Sequence, residues 1–254
     1  MDHTQPKLEQ HKKSWHQVFS ALLSGRMLAA LIMGFAAGLP LLLTSSALQA
    51  WMKDSDIDLG TIGLFALVGL PYTLKFVWAP LMDRYIPSRL GRRRGWLVIW
   101  QVLLTGAIVL LAFSDPKNML FFTAIAALLL SFFSASQDIV IDAYRRESLN
   151  DEELGMGASL YVSGYRIGML LATGGGLIMA DYMPYQSVYL IMAIAMAACI
   201  IATLVAKEPE MRHGKPGSLK EAVIDPFKEY FTRDYAIAIL LFIFLYKVGD
   251  TMAS

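Results

Sequence analysis

Cysteine and histidine are scarce. Cys199 is the one cysteine in 254 residues, and it lies inside an apolar run. A single cysteine excludes a disulfide framework and a thiolate metal site. The four histidines, His3, His11, His16 and His213, all fall outside the apolar runs, so a metal site at membrane depth has no imidazole ligands. Charge is thin as well. Charged residues make up 17% of the chain, against about 25% in soluble domains. The net charge is +1, which leaves no overall field to draw in nucleic acid. G-x-x-x-x-G-K, H-E-x-x-H and a nucleophile elbow are all missing, so no cofactor is called for and an embedded enzyme or sensor has no motif of its own.

Apolar sequence is what fills the chain, at 56% of residues. It comes in runs over 27–50, 61–82, 95–113, 118–142, 155–180 and 187–206, with a seventh from about 235 to the last residue. Each has about the 20 residues that a spanning helix needs, and none alternates as a barrel strand would. Basic residues sort by side. Lys7, Lys12, Lys13 and Arg26 precede the first run. Arg84, Arg89 and Arg92 to Arg94 follow the second, Arg145 and Arg146 the fourth, and a group from Lys207 to Arg233 the sixth. The other connections hold only Lys53 and Lys117. This alternation puts the N-terminus in the cytoplasm, and it makes the RLGRRRG stretch an orientation signal rather than a nucleic-acid patch. The chain divides into a cytoplasmic tail (1–26), a six-span bundle (27–206), a cytoplasmic connection (207–234) and a partial seventh span (235–254). In the connection, Ser218 and Glu221 form a capping box ahead of apolar residues at helical spacing, which predicts a helix on the membrane surface.

A few charged and amide side chains remain inside the runs, where an ionisable group costs at least about 2–3 kcal/mol. In the fourth run Ser131, Ser134, Asp138 and Asp142 stack on one helical face, with Gln137 beside them. Asp138 is expected to couple protons or bind substrate. Asp142, nearer the interface, is expected to pair with Arg84 or Arg145. Lys75 lies about 12 Å of helix from Asp83, which is long for snorkelling, so it faces a cavity or partners Asp138. Arg166 shares a face with Ser159, Ser163 and Thr173; it binds a substrate carboxylate or pairs with Asp138. Gly164, Gly168, Ala172 and Gly176 repeat on the opposite face and predict close helix packing, as do Gly34 and Gly38 in the first run. Pro40 predicts a kink there, followed by Thr44, Ser45 and Gln49. Lys247 and Asp250 pair with each other or line the cavity.

Six stretches together resemble one family: LPLLLTSSALQAWM, LKFVWAPLMDRY, GRRRGW, SASQDIVIDAY, GYRIGML and YKVGD. In order and spacing they look like the muropeptide permeases of the AmpG type, in the major facilitator superfamily, from about Gly34 onward. The superfamily's loop motif is weaker: Asp83, Arg84 and Gly91 to Arg94 are recognisable, but Ala79 stands in place of its first glycine. The resemblance implies an all-α membrane fold, a six-helix N-terminal bundle of two inverted three-span repeats, plus the start of a seventh span. It implies proton-coupled import of N-acetylglucosaminyl-anhydro-muropeptides across a bacterial inner membrane for cell-wall recycling. Spans one, four and seven would line the cavity, with Gln49, Gln137, Asp138, Lys247 and Asp250; Asp83, Arg84, Asp142 and Arg145 would form gating ion pairs in the loops. The alternatives are another cargo (acetyl-CoA, a drug or a sugar) or a truncated, inactive half. Family members carry a second six-span half, so a missing C-terminal half, or a second copy, is expected to complete the cavity.

Overall fold

In the structure, a computed structural model, residues 24–87, 89–209 and 228–253 are described, with side chains through Tyr246. The expected tail and the surface helix carrying Ser218 and Glu221 lie outside the described residues. All regular elements described are helices. Five are long and apolar enough to cross a membrane: Gly25–Asp54, Leu59–Val77, Arg92–Ala112, Leu120–Ser148 and Tyr185–Val205. The fifth expected span forms Leu154–Leu170, a π turn Leu171–Gly175, and Gly176–Ala180. Its glycines, its serines and Arg166 make it less apolar than the others. The seventh is Ala236–Ala253, whose side chains from Ile237 to Tyr246 stay mostly exposed.

Two spans depart from the sequence reading. The second is not one helix over 61–82. It breaks into Leu59–Leu64, Leu70–Leu74 and Ala79–Arg84, joined by 3-10 turns at Phe65–Gly69 and Lys75–Val77. Each 3-10 turn runs up to a proline, Pro71 or Pro80, which removes a backbone donor and disfavours a helical residue before it. The fourth span continues beyond 142 to Ser148 and carries Arg145 and Arg146 in its last turn, where cations suit the helix C-terminus.

Small residues set the tightest packing. The first and fifth spans touch backbone to backbone. A Cβ on Gly34 or Gly38 would overlap the carbonyls of Tyr161 or Tyr165, and one on Gly164 or Gly168 would overlap those of Leu31 or Phe35. The predicted small-residue face is therefore the contact face, and Arg166 points the other way. Behind this pair the core fills with Leu39 and Leu43 of the first span, Leu104, Ile108 and Leu111 of the third, Leu130 of the fourth, and Met192 and Met196 of the sixth.

Candidate functional site

The polar stripe of the fourth span changes character along its length. Ser131 and Ser134 are fully buried, and their hydroxyls have no hydrogen-bond partner. Asp138 is half-buried, with Oδ1 enclosed and unpartnered. Asp142 is exposed and pairs with Arg145 at 3.5 Å, the second of the two partners expected for it.

Three other spans bring polar groups toward Asp138. Lys75, in the second 3-10 turn, is the cation within electrostatic reach of its carboxylate. No ion pair within 4.0 Å joins them among the described residues. Tyr72, one turn earlier, has a buried hydroxyl without a hydrogen-bond partner; Asp138, Ser134, Tyr165 and Thr44 of the first span are its polar neighbours. From the fifth span Tyr161 and Tyr165 come within reach of both Asp138 and Asp142. The Arg145 guanidinium lies 4.5 Å over the Tyr161 ring, a cation–π contact. The result is one carboxylate, one ammonium and three phenols converging at membrane depth. An enclosed acceptor with no donor is open to a proton or to a donor on a ligand. The three tyrosines were missed in the sequence because a tyrosine in an apolar run reads as packing. Their one signal was spacing, since Tyr161 and Tyr165 follow the register of Gly164 and Gly168.

The other expected site residues lie elsewhere. Gln137, fully buried, donates from Nε2 to the Ala36 carbonyl at 2.9 Å. Pro40 sits four residues on and has no N–H for that carbonyl, so Gln137 supplies the donor the kink removes. The Tyr189 hydroxyl donates to Leu43 O at 2.8 Å, at the start of the π turn Leu43–Ala47. Gln49 is half-buried, about 20 Å of helix beyond Ala36. Arg166 is exposed and has no ion pair or hydrogen bond among the described residues, so the alternative that paired it with Asp138 does not hold. Lys247 and Asp250 lie in the seventh helix; their side chains are outside those described. Among the described residues no three His, Cys, Asp or Glu converge as metal ligands.

A second cluster closes one end of the bundle. Arg93 grips Glu147 with two nitrogens, at 3.0 and 2.6 Å, and Asp83 with a third at 2.8 Å. Arg92 joins at 2.9 Å to Glu147. Glu208, just past the sixth span, accepts from the backbone N–H of Arg93 and of Arg94 at 2.8 and 2.9 Å. It thereby caps the third span, which Gly91 enters at φ +105. Arg94 donates to the carbonyls of Thr203 and Leu204. Arg84 lies 5.6 Å over the Tyr85 ring and takes no part in these pairs. Arginines read as orientation signals are thus also tied into the fold, with Arg92 8% and Arg93 5% exposed.

Sequence comparison agrees with this architecture. The family model described as Major Facilitator Superfamily matches residues 9–253. The chain belongs to the major facilitator superfamily. Within it, the chain is 48% identical over 245 residues to the anhydromuropeptide permease of Escherichia coli K12, a match covering 96% of this chain and 48% of that protein. It is 35% identical to a putative transporter AmpG 4 of Rickettsia felis, covering 89% of this chain and 57% of that one. It is 30% identical to a putative transporter AmpG 1 of Rickettsia bellii, covering 88% and 58%. The chain spans about half the length of these relatives. Family membership and the five apolar helices make it a multi-pass membrane protein of a transporter superfamily.

Proposed function

We propose that this chain forms the N-terminal half of a proton-coupled importer of anhydromuropeptides in a bacterial inner membrane, with its N-terminus in the cytoplasm. The observation that carries this reading is the convergence on Asp138: an enclosed, unpartnered carboxyl oxygen, Lys75 across from it, and Tyr72, Tyr161 and Tyr165 around it. The permease named in Escherichia coli supports the cargo, and the alternation of basic connections supports the orientation. In this reading Asp138 takes up and releases the proton, and the phenols meet sugar and amide groups. Lys75 and the unpaired Arg166 hold the carboxylates of the peptide stem. A membrane gradient drives the cycle.

Uptake of labelled anhydromuropeptide into vesicles carrying the complete two-half transporter tests it. Asp138→Asn loses accumulation driven by a pH gradient but retains exchange of internal for external substrate. Arg166→Ala raises KM more than it lowers the maximal rate. Normal accumulation by both variants would remove these residues from the mechanism.

A further inference from the structure

A crevice opens between the first and sixth spans, away from the polar cluster and sharing none of its residues. Its volume is about 500 Å³, within the usual range for small-molecule sites. The rim carries Arg26 at the start of the first span and Lys207 just past the end of the sixth. The walls are apolar: Leu28 and Val205 about half a turn in, Ile32 and Ala202 one to two turns deeper. The crevice is therefore cationic where two spans leave the membrane and hydrocarbon-like inside it.

One further feature points to an occupant. Lys207 is held at the rim, because the Tyr144 hydroxyl donates to its carbonyl at 2.6 Å, yet its ammonium has no partner among the described residues. Arg26 is shared with Glu153 at 3.0 Å, so among the described rim residues the Lys207 ammonium is the cation left without a carboxylate.

We propose that this crevice binds one anionic phospholipid of the leaflet at the basic end of the bundle. The phosphate lies between Lys207 and Arg26, and one acyl chain runs along Leu28, Ile32 and Val205. Charge complementarity selects the anionic headgroup, and the depth of the apolar walls favours a lipid over a free phosphate.

Native mass spectrometry tests this on the whole chain, released from nanodiscs of equimolar phosphatidylglycerol and phosphatidylcholine with identical acyl chains. One phosphatidylglycerol is retained in preference to phosphatidylcholine, and added glycerol phosphate does not displace it. The Arg26→Gln, Lys207→Gln double variant lowers the preference on the order of tenfold. Both positions are exposed, so the fold stays readable by helicity. Ala202→Leu, which fills the crevice, lowers retention of both lipids. Equal retention of the two lipids, or a preference that survives the double variant, overturns the proposal. So does lipid retention that appears only after residues 1–23 are deleted, since the chain's own tail would then be the occupant.

Discussion

Tyr72 places a buried hydroxyl near Asp138, Ser134 and Thr44, but among the described residues none of them meets it in hydrogen-bond geometry. Such a group adds nothing to the resting fold, and its removal is neutral or stabilising by up to about 1 kcal/mol. Tyr72→Phe is therefore expected to unfold at the same temperature or slightly higher in detergent, while, on the proposed function, uptake by the complete transporter falls. A clear drop in unfolding temperature would mean that the hydroxyl is already satisfied. At this scale the sequence was half legible. Asp138 and Lys75 stood out because charge at membrane depth is expensive. The tyrosines did not, because their apolar rings explain their presence without their hydroxyls. Gln137 looked like its neighbour Asp138, but one residue is about 100° of helix. That rotation takes it off the cluster and into the first span's backbone.

Between elements, the kink in the first span and the fourth span that supports it form one unit. Pro40 frees the Ala36 carbonyl, and Gln137 takes it up at 2.9 Å. Gln137→Leu leaves that carbonyl buried and alone, at about 1–3 kcal/mol. Pro40→Ala restores an N–H four residues on, so in that background Gln137→Leu should cost less. The non-additivity, read from unfolding of the four proteins in the cycle, measures the link; strictly additive effects would break it. The contact between first and fifth spans gives a second prediction. Gly34→Ala and Gly164→Ala each push a methyl into backbone, and an overpacked contact costs about 1–3 kcal/mol. Gly106→Ala, with open space at its Cβ, is the control and should not lose stability. Here the sequence was informative, since glycines four apart with nothing between them to turn have few other uses. The broken second span was signalled by Pro71 and Pro80, as the kink was by Pro40, but hydropathy over 61–82 reads as one run and does not register a change of helical pitch.

Across the whole molecule, one ionic cluster ties together four parts of the chain far apart in sequence: the end of the second span, the start of the third, the end of the fourth, and the residues just past the sixth. Arg93 sits at its centre, 5% exposed, between Asp83 and Glu147, while Glu208 caps the helix that Arg92 begins. Composition shows only that arginines gather at this end; which carboxylates they meet depends on how the spans pack, and that is not written in any one connection. The two roles differ in expected size. Arg93→Leu leaves Glu147 to Arg92 alone and removes charged hydrogen bonds at a largely buried joint, a loss of about 1.5–3 kcal/mol. Glu208→Gln keeps an acceptor for the two backbone N–H groups and removes only the interaction of its charge with the helix end, about 0.3–1 kcal/mol. Thermal unfolding of the two variants should rank them in that order, and raising the salt concentration should shrink the Glu208→Gln effect, because an interaction between a charge and a helix end is screened by salt. If the two variants lost equal stability, the cluster would be a set of surface pairs rather than a buried joint, and the closed end of the bundle would have to be held by the apolar contacts of the third and fourth spans.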